Sequence, residues 1–398
     1  MRLFSIELQI VSPTILVSRT GYRGFAYKSL YDYIPASTFR GALMSGLMLN
    51  YNVDMNVIDK LVLDPDYSIT PLLATEKTPR SFIRDIMVAH ALSIKMKWPV
   101  DKIEGVILSR GIGRLLDMLR THDPKEALLR LIIDTNRELL QGKSLARRSM
   151  HPSETTVCTG DVIIRDGKYW RGVKVETDMY TQVGLDQVRG SAVPALLYSY
   201  EHIKPGNIYV GYMAISEKSS LLEMLKDMKN IRICLGRGIS RGFGRALVSL
   251  EEIDLNHFLN TIGLERVRRG DYIALEVLSL ALRETPIPLP LRSGDVIEIP
   301  TPWMEKILGH LDTRVKLRIL AILGNTSSYG GWSIRTNKPK LMVKGIGRGG
   351  LLICRVEEAE GREAERLLSM LAIVGLDHLA SHGYNIMIPL LKDPIAWG

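Results

Sequence analysis

The chain has 398 residues, 46% hydrophobic and 24% charged, enough apolar material for two domains with real cores. Its 52 Lys and Arg against 43 Asp and Glu leave a net charge of +9, which points toward a polyanionic partner. Three widely spaced cysteines (Cys158, Cys234 and Cys354) suggest neither a zinc site nor a disulfide framework. The start carries no signal-peptide pattern, and no apolar run reaches the ~18 residues of a membrane span. The expectation is a soluble cytoplasmic protein without metal or cofactor.

Phe4, Ile6, Leu8 and Ile10 alternate with polar residues, the pattern of a strand with one buried face. A loop follows that interleaves cations (Arg19, Arg23, Lys28) with Tyr22, Tyr27, Tyr31 and Tyr33. That mixture suits single-stranded nucleic acid, because bases stack on rings while cations hold phosphates; tyrosines in a loop equally pack on a neighbouring domain. Next, Ser37 is an expected N-cap, and Phe39, Leu43 and Leu47 recur at helical spacing. Arg40 then falls in the first turn, where the helix dipole disfavours a cation unless a bound phosphate reverses the sign.

Residues 50–150 read as a mostly helical insertion. Ile83, Met87 and Ile94 lie at helical spacing, and His90 on that apolar line reads as a packed histidine rather than a catalytic one. Asp123, Pro124 and Glu126 form an expected N-cap, first position and capping box, with Gly142 past the end. Residues 143–148 are basic, either an RNA-facing loop or a linker.

Strands return after residue 155, with a hairpin expected at Asp166-Gly167 and another strand over 208–215. A short helix over 221–228 leads to Leu-Gly-Arg-Gly-Ile-Ser-Arg-Gly-Phe-Gly-Arg at 235–245. Four glycines (Gly236, Gly238, Gly242, Gly244) permit positive φ and close approach to a ligand. Arg237, Arg241 and Arg245 stand among them without an acidic residue, together with Ser240 and Phe243. Apolar alternation on both sides makes this strand, loop, strand. It is therefore neither a Walker loop nor a dinucleotide fingerprint, both of which open a helix. Exposed N–H groups and guanidinium forks still suit phosphate, although a hairpin loop with solvated arginines has the same composition.

Without the insertion, the order is βαββαβ, a ferredoxin-like arrangement over 1–255. A second copy is expected over 270–398: strand 272–282, helix 303–308, strands 316–323 and 351–356, helix 362–373 and strand 385–389. Its last loop, at 375–383, has lost the arginines. Between them lies Gly330-Gly331-Trp332 followed by Arg335, Lys338, Lys340, Lys344 and Arg348, five cations with no acid. Trp332 either stacks on a base or anchors the loop. The fold expected is thus α+β: two ferredoxin-like domains in tandem, the first with a helical insertion.

Ile34-Pro35 with Ser37 and Arg40-Gly41-Ala42 resembles the IPGSSxRGAL helix start of CRISPR-associated RAMP proteins. The loop from Gly236 to Gly244 is similar to their glycine-rich loop. Leu185-Asp186 through Leu197-Tyr198, and the Gly-Gly-Trp…Lys-Pro-Lys segment, resemble the two-domain RAMP subunits of type III effector complexes, most of all the type III-D form. Ala36 stands where glycine is usual. The resemblance implies paired RRM-like folds, a place at the 5′ handle of the guide RNA, and contact with the large subunit and backbone RAMP subunits. It implies no catalytic residue. RNA contacts are then expected at Lys28, Tyr31, Tyr33, Ser37, Arg40, Arg189, Arg237, Ser240, Arg241, Phe243, Arg245, Trp332, Arg335, Lys338 and Lys340.

Two enzymatic alternatives stand beside this reading. A guide-processing endoribonuclease uses histidine as general acid or base, yet none of the eight histidines falls in the 22–40 loop and helix start. Backbone RAMP subunits cut target RNA with a loop aspartate, a role that Asp32 can mimic; a turn-capping role suits Asp32 better.

Overall fold

The computed structural model describes residues 1–16, 26–27, 29–30, 32–76, 85–142, 151–185, 192–226, 228, 230–283, 285, 288–330, 332–333, 338–339, 342–360 and 363–395. The alternating first strand, Arg2–Ile10, lies in the middle of an antiparallel sheet. Across that sheet the order is Asn230–Cys234, Arg245–Ile253, Arg2–Ile10, Ile208–Ile215, Leu72–Thr75 and Tyr33–Ile34, with Tyr67–Ile69 also on Ile208–Ile215. Ile6 pairs with Gly211 on one side and Leu250 on the other. The helix Ala36–Tyr51 buries Phe39, Leu43 and Leu47 against Ile6, Leu8 and Ile10 of this sheet. Ser220–Leu225 adds Leu221, Leu222 and Leu225 to the same core. The helix begins at Ala36 with Pro35 as its cap, so Ser37 is its second residue and not the N-cap. Proline suits this boundary because its φ is already near the helical value and it has no N–H to leave unmet.

The other face of the sheet is buried too. Leu3, Leu73, Val210, Tyr212 and Ala214 join a core shared with the insertion and with the C-terminal half. That half carries a second antiparallel sheet, in the order Val296–Ile299, Arg314–Leu323, Leu351–Glu360, Tyr272–Val277 and Met387–Leu390. Helices Pro302–Leu308 and Ala364–Met370 supply Trp303, Met304, Ile307, Leu367 and Leu368 to its core. In both sheets the main strands, numbered along the chain, stand in the order fourth, first, third, second. In the first sheet these are Arg2–Ile10, the 67–75 segment, Ile208–Ile215 and Arg245–Ile253; in the second, Tyr272–Val277, Arg314–Leu323, Leu351–Glu360 and Met387–Leu390. The strand expected over 272–282 breaks at 278–279 into Tyr272–Val277 and Leu280–Arg283, and the latter belongs to a separate small sheet.

Among its described residues, the insertion is not mostly helical. The 67–75 strands belong to the first sheet, and beyond them stands a six-stranded sheet in the order Ile86–Val88, Val162–Asp166, Tyr169–Gly172, Val106–Ser109, Ser93–Met96 and Thr155–Val157. Among the described residues of 50–150 beyond the first helix, the α-helices are Met55–Leu63, Ile112–Met118 and Pro124–Leu140, with Asp85 also helical. Ile86–Val88 and Val106–Ser109 are buried at every position, so these strands show no period-two alternation, and short apolar runs of that kind cannot be told from helix by pattern. Met87 and Ile94, expected on one helix face, lie on different strands, and Ile83 lies outside the described residues. The Pro124–Leu140 helix forms with Asp123 as its N-cap, accepting from the N–H groups of Lys125 and Glu126 at 2.9 and 3.2 Å, although Glu126 does not complete the expected capping box. Glu126 accepts from Arg130 one turn later. Among the described residues, no helix is long and apolar enough to cross a membrane.

Candidate nucleic-acid interface

The arginine loop connects the paired strands Asn230–Cys234 and Arg245–Ile253, with a single turn of 3-10 helix at Ile239–Arg241. All four glycines have positive φ, from 75° to 88°. Two of them do not serve a ligand at all. A Cβ on Gly236 would lie 2.2 Å from the Ile15 carbonyl oxygen, and one on Gly244 would lie 2.0 Å from that of Leu235. They let the loop fold tightly against its own chain. Around Gly242, by contrast, an added Cβ meets nothing within 4 Å. Gly244→Ala is therefore expected to lower thermal stability and RNA affinity together, whereas Gly242→Ala carries only backbone strain of about 1–2 kcal/mol. Melting curves and binding isotherms on the two variants check this.

Segment 11–16 braces the loop from below. Arg237 N–H donates to the Ile15 carbonyl at 3.0 Å, Gly244 N–H to Pro13 at 2.8 Å, and Val11 N–H to Arg245 at 2.9 Å. So held, the loop exposes Arg237, Ser240, Arg241 and Arg245 to solvent. Among the described residues no carboxylate forms an ion pair with Arg237 or Arg245. Phe243 is half-buried, because its ring meets Tyr180 edge-on at 5.3 Å.

Tyr180 comes from an element that the sequence reading did not resolve, a long hairpin of Thr177–Leu185 and Ala192–Ile203. Its turn, where Arg189 is expected to act, lies outside the described residues. Ala26–Tyr27 of the first loop adds to the hairpin in parallel, Ser199 opposite Ala26 and Tyr200 opposite Tyr27. The structure thus brings three separate stretches to one place: residues 26–27 of the first loop, the hairpin and the arginine loop.

Arg40 is not part of this surface. It is buried, 4% exposed, and every arm of its guanidinium is engaged. Nε donates to the Tyr67 hydroxyl at 2.9 Å, Nη2 to the Val62 carbonyl at 2.7 Å, and Nη1 to Ser381 Oγ at 3.3 Å. Nη1 also lies 2.8 Å from Nε2 of His382, a contact that needs a neutral ring. Burial pushes the Tyr67 phenol above its ordinary pKa despite the pull of Arg40. The dipole argument for a phosphate fails because the cost is met by acceptors within the protein, Tyr67 and Val62 of the first half and Ser381 and His382 of the C-terminal half.

Tyr33 is likewise covered on one side: the Arg348 guanidinium lies 3.9 Å from its ring centroid. The same Arg348 pairs with Asp32 at 2.6 Å, with both side chains largely buried. Asp32 is thereby tied to the second half of the chain. Burial and then the charge of Asp32 raise the pKa of Asp161 nearby. His90, on the insertion, is fully buried as a packed histidine with its Nε2 3.3 Å from Asp393.

Lys28, Tyr31, Arg189, Arg335 and Lys340 lie outside the described residues. Trp332 is described only as one residue of a two-residue strand, Trp332–Ser333, opposite Lys338–Pro339, and Lys338 is exposed. Ser37 is half-buried near the helix start. No group of three or more His, Cys, Asp or Glu that could hold a metal occurs among the described residues.

The model of the RAMP superfamily matches residues 24–248. Similar solved structures include a chain of the Type III-B Cmr-beta bound to cognate target RNA and AMPPnP, 12% identical over 88% of this chain and 86% of that one, with a TM-score of 0.38. A crystal structure of oligomeric Cmr4 from Pyrococcus furiosus is 13% identical over 64% of this chain and 100% of that one, with a TM-score of 0.29. No curated protein matches the chain in sequence. The stretch matched by the family model exceeds half of the chain and contains both the helix start at Ala36 and the arginine loop, so the chain belongs to the RAMP superfamily.

Proposed function

We propose that the chain is a non-catalytic RNA-binding subunit of a type III CRISPR effector ribonucleoprotein, most like the type III-D form, and that it holds the 5′ handle of the guide RNA. The observation that carries the reading is the arginine loop: Arg237, Arg241 and Arg245 exposed on a braced, positive-φ backbone beside Phe243. Such a loop holds successive phosphates by position rather than by sequence, and leaves base reading to neighbouring rings. The shared strand order of the two sheets supports reading the chain as two ferredoxin-like units, the first interrupted by the insertion. In this reading the large subunit and backbone RAMP subunits are the protein partners.

The same reading assigns no cleavage chemistry. Asp32 serves as the counter-ion of Arg348, a structural role that joins the two halves.

Replacing Arg237, Arg241 and Arg245 together by alanine is expected to weaken guide binding and to flatten its salt dependence. On single-stranded RNA the slope should fall by up to about 0.7 for each lost phosphate contact. An unchanged slope with the fold intact would make the loop structural. Crosslinks from Phe243 in the assembled complex should reach the first nucleotides of the guide; crosslinks confined to the 3′ end would remove the handle assignment.

A further inference from the structure

Two side chains of the long hairpin stand beside the arginine loop. Tyr180 and His202 belong to the two strands of the long hairpin. Tyr180 is paired with Tyr200, so His202 stands diagonally across from it on the same face. Both rings converge on Phe243, which lies 5.3 Å from Tyr180 at 66° and 6.4 Å from His202 at 77°. An edge-on contact fixes the orientation of a ring while covering at most one of its faces. Tyr180 accordingly remains 42% exposed. Nδ1 of His202 is buried and has no hydrogen-bond partner among the described residues.

The cluster is also rigidly placed. Thr14 and Ile203 exchange backbone hydrogen bonds at 3.0 and 2.8 Å, and the next residue, Ile15, accepts from Arg237 at 3.0 Å. One short segment therefore fixes the base of the hairpin and the arginine loop relative to each other.

We propose that Tyr180, with Phe243 and His202 behind it, is a stacking site for one unpaired nucleobase of RNA whose flanking phosphates lie on Arg237, Arg241 and Arg245. The inference rests on the RNA-binding reading above and specifies what that surface takes: a base turned out of the strand, not a duplex. Phosphate contacts alone hold any backbone, single- or double-stranded. An exposed aromatic ring set among them selects for single strands, since only an unstacked base presents its face. Phe243, itself met edge-on by His202, holds the tyrosine in place.

The test uses the full chain and a set of unstructured single-stranded RNAs, each carrying 2-aminopurine at one position, titrated at several salt concentrations. Fluorescence quenching is expected at a single position for the wild type and to be lost in Tyr180→Ala. The variant should bind about 5- to 150-fold more weakly, with the salt slope unchanged. Tyr180→Phe, which keeps the ring, should restore both affinity and quenching. Unchanged affinity and quenching in Tyr180→Ala, while the triple arginine variant still flattens the slope, overturns the stacking site and leaves the arginine loop standing. Absence of any salt-dependent RNA binding by the wild-type chain overturns the RNA-binding reading itself, and the stacking site with it. Equal affinity for a duplex of the same length also overturns the proposal.

Discussion

Arg40→Ala is expected to destabilise the protein by about 3 kcal/mol or more while leaving the salt dependence of RNA binding untouched. The truncation strands the Tyr67 hydroxyl and the Val62 carbonyl in a buried site and removes a donor from Ser381, and an unmet buried polar group costs about 1–3 kcal/mol. A cavity adds to this. Arg40→Lys should rescue little, because a single ammonium cannot reach acceptors on three sides of a planar fork. Arg40→Met should cost less than alanine: it refills the volume, and no carboxylate among the described residues is left unpaired by its neutrality. Thermal melts and salt-dependent binding isotherms on the same preparations check the prediction. A normal melt combined with a flattened salt slope would return Arg40 to the phosphate-binding surface.

The second large effect concerns pH. Glu276, on the strand Tyr272–Val277, is fully buried, and neither of its carboxylate oxygens has a hydrogen-bond partner among the described residues. Burial pushes its pKa up to about 7, against the pull of His90 and with the charge of Asp393 acting in the same sense as burial. In the unfolded chain the group ionises near 4.5, so between there and about 7 only the unfolded state releases the proton. Stability is therefore highest below that window and falls as pH rises through it, by about 3 kcal/mol in all. His90 adds to the same trend. Burial disfavours its charge, but Asp393 and Glu276 outweigh this and raise its pKa, so its contribution is also lost as pH rises. Asp393 works in the opposite direction at the acid end: burial raises its pKa, while His90, Ser109 and the Ile112 N–H together lower it. Its contribution is lost as pH falls. Glu276→Gln should flatten the melting temperature between pH 5 and pH 8, and Glu276→Met should raise it at pH 8. A variant that melts with the wild-type pH profile would show that this carboxyl does not titrate across that range.

The arginine loop was legible because everything that defines it is local. Alternating Ile231, Ile233 and Leu235 predict a strand, the glycines predict positive φ, and both are found. The Asp123 cap and the strand over 208–215 were legible for the same reason. The hairpin carrying Tyr180 was not. Its strand partners lie on either side of a turn without the short Asn-Gly or Asp-Gly signal, and its exposed Met179 and Val183 break the alternation of a half-buried strand. The stacking site escaped with it, since it exists only where the hairpin meets the loop.

Local propensity and spacing thus determined, from sequence alone, the first strand, the 208–215 strand, the Asp123 cap and the loop that carries the arginines; the second strand of the first sheet, at 67–75, was hidden in the stretch expected to be a helical insertion. Tertiary structure decided what each charged residue faces. Arg40 and Ser381 are 341 positions apart, Asp32 and Arg348 are 316 apart, and no local pattern encodes which cation is buried against which acceptor. The six-stranded sheet of the insertion was settled at the same level. Strands covered on both faces lose their alternation, so their identity resides in the neighbours that cover them.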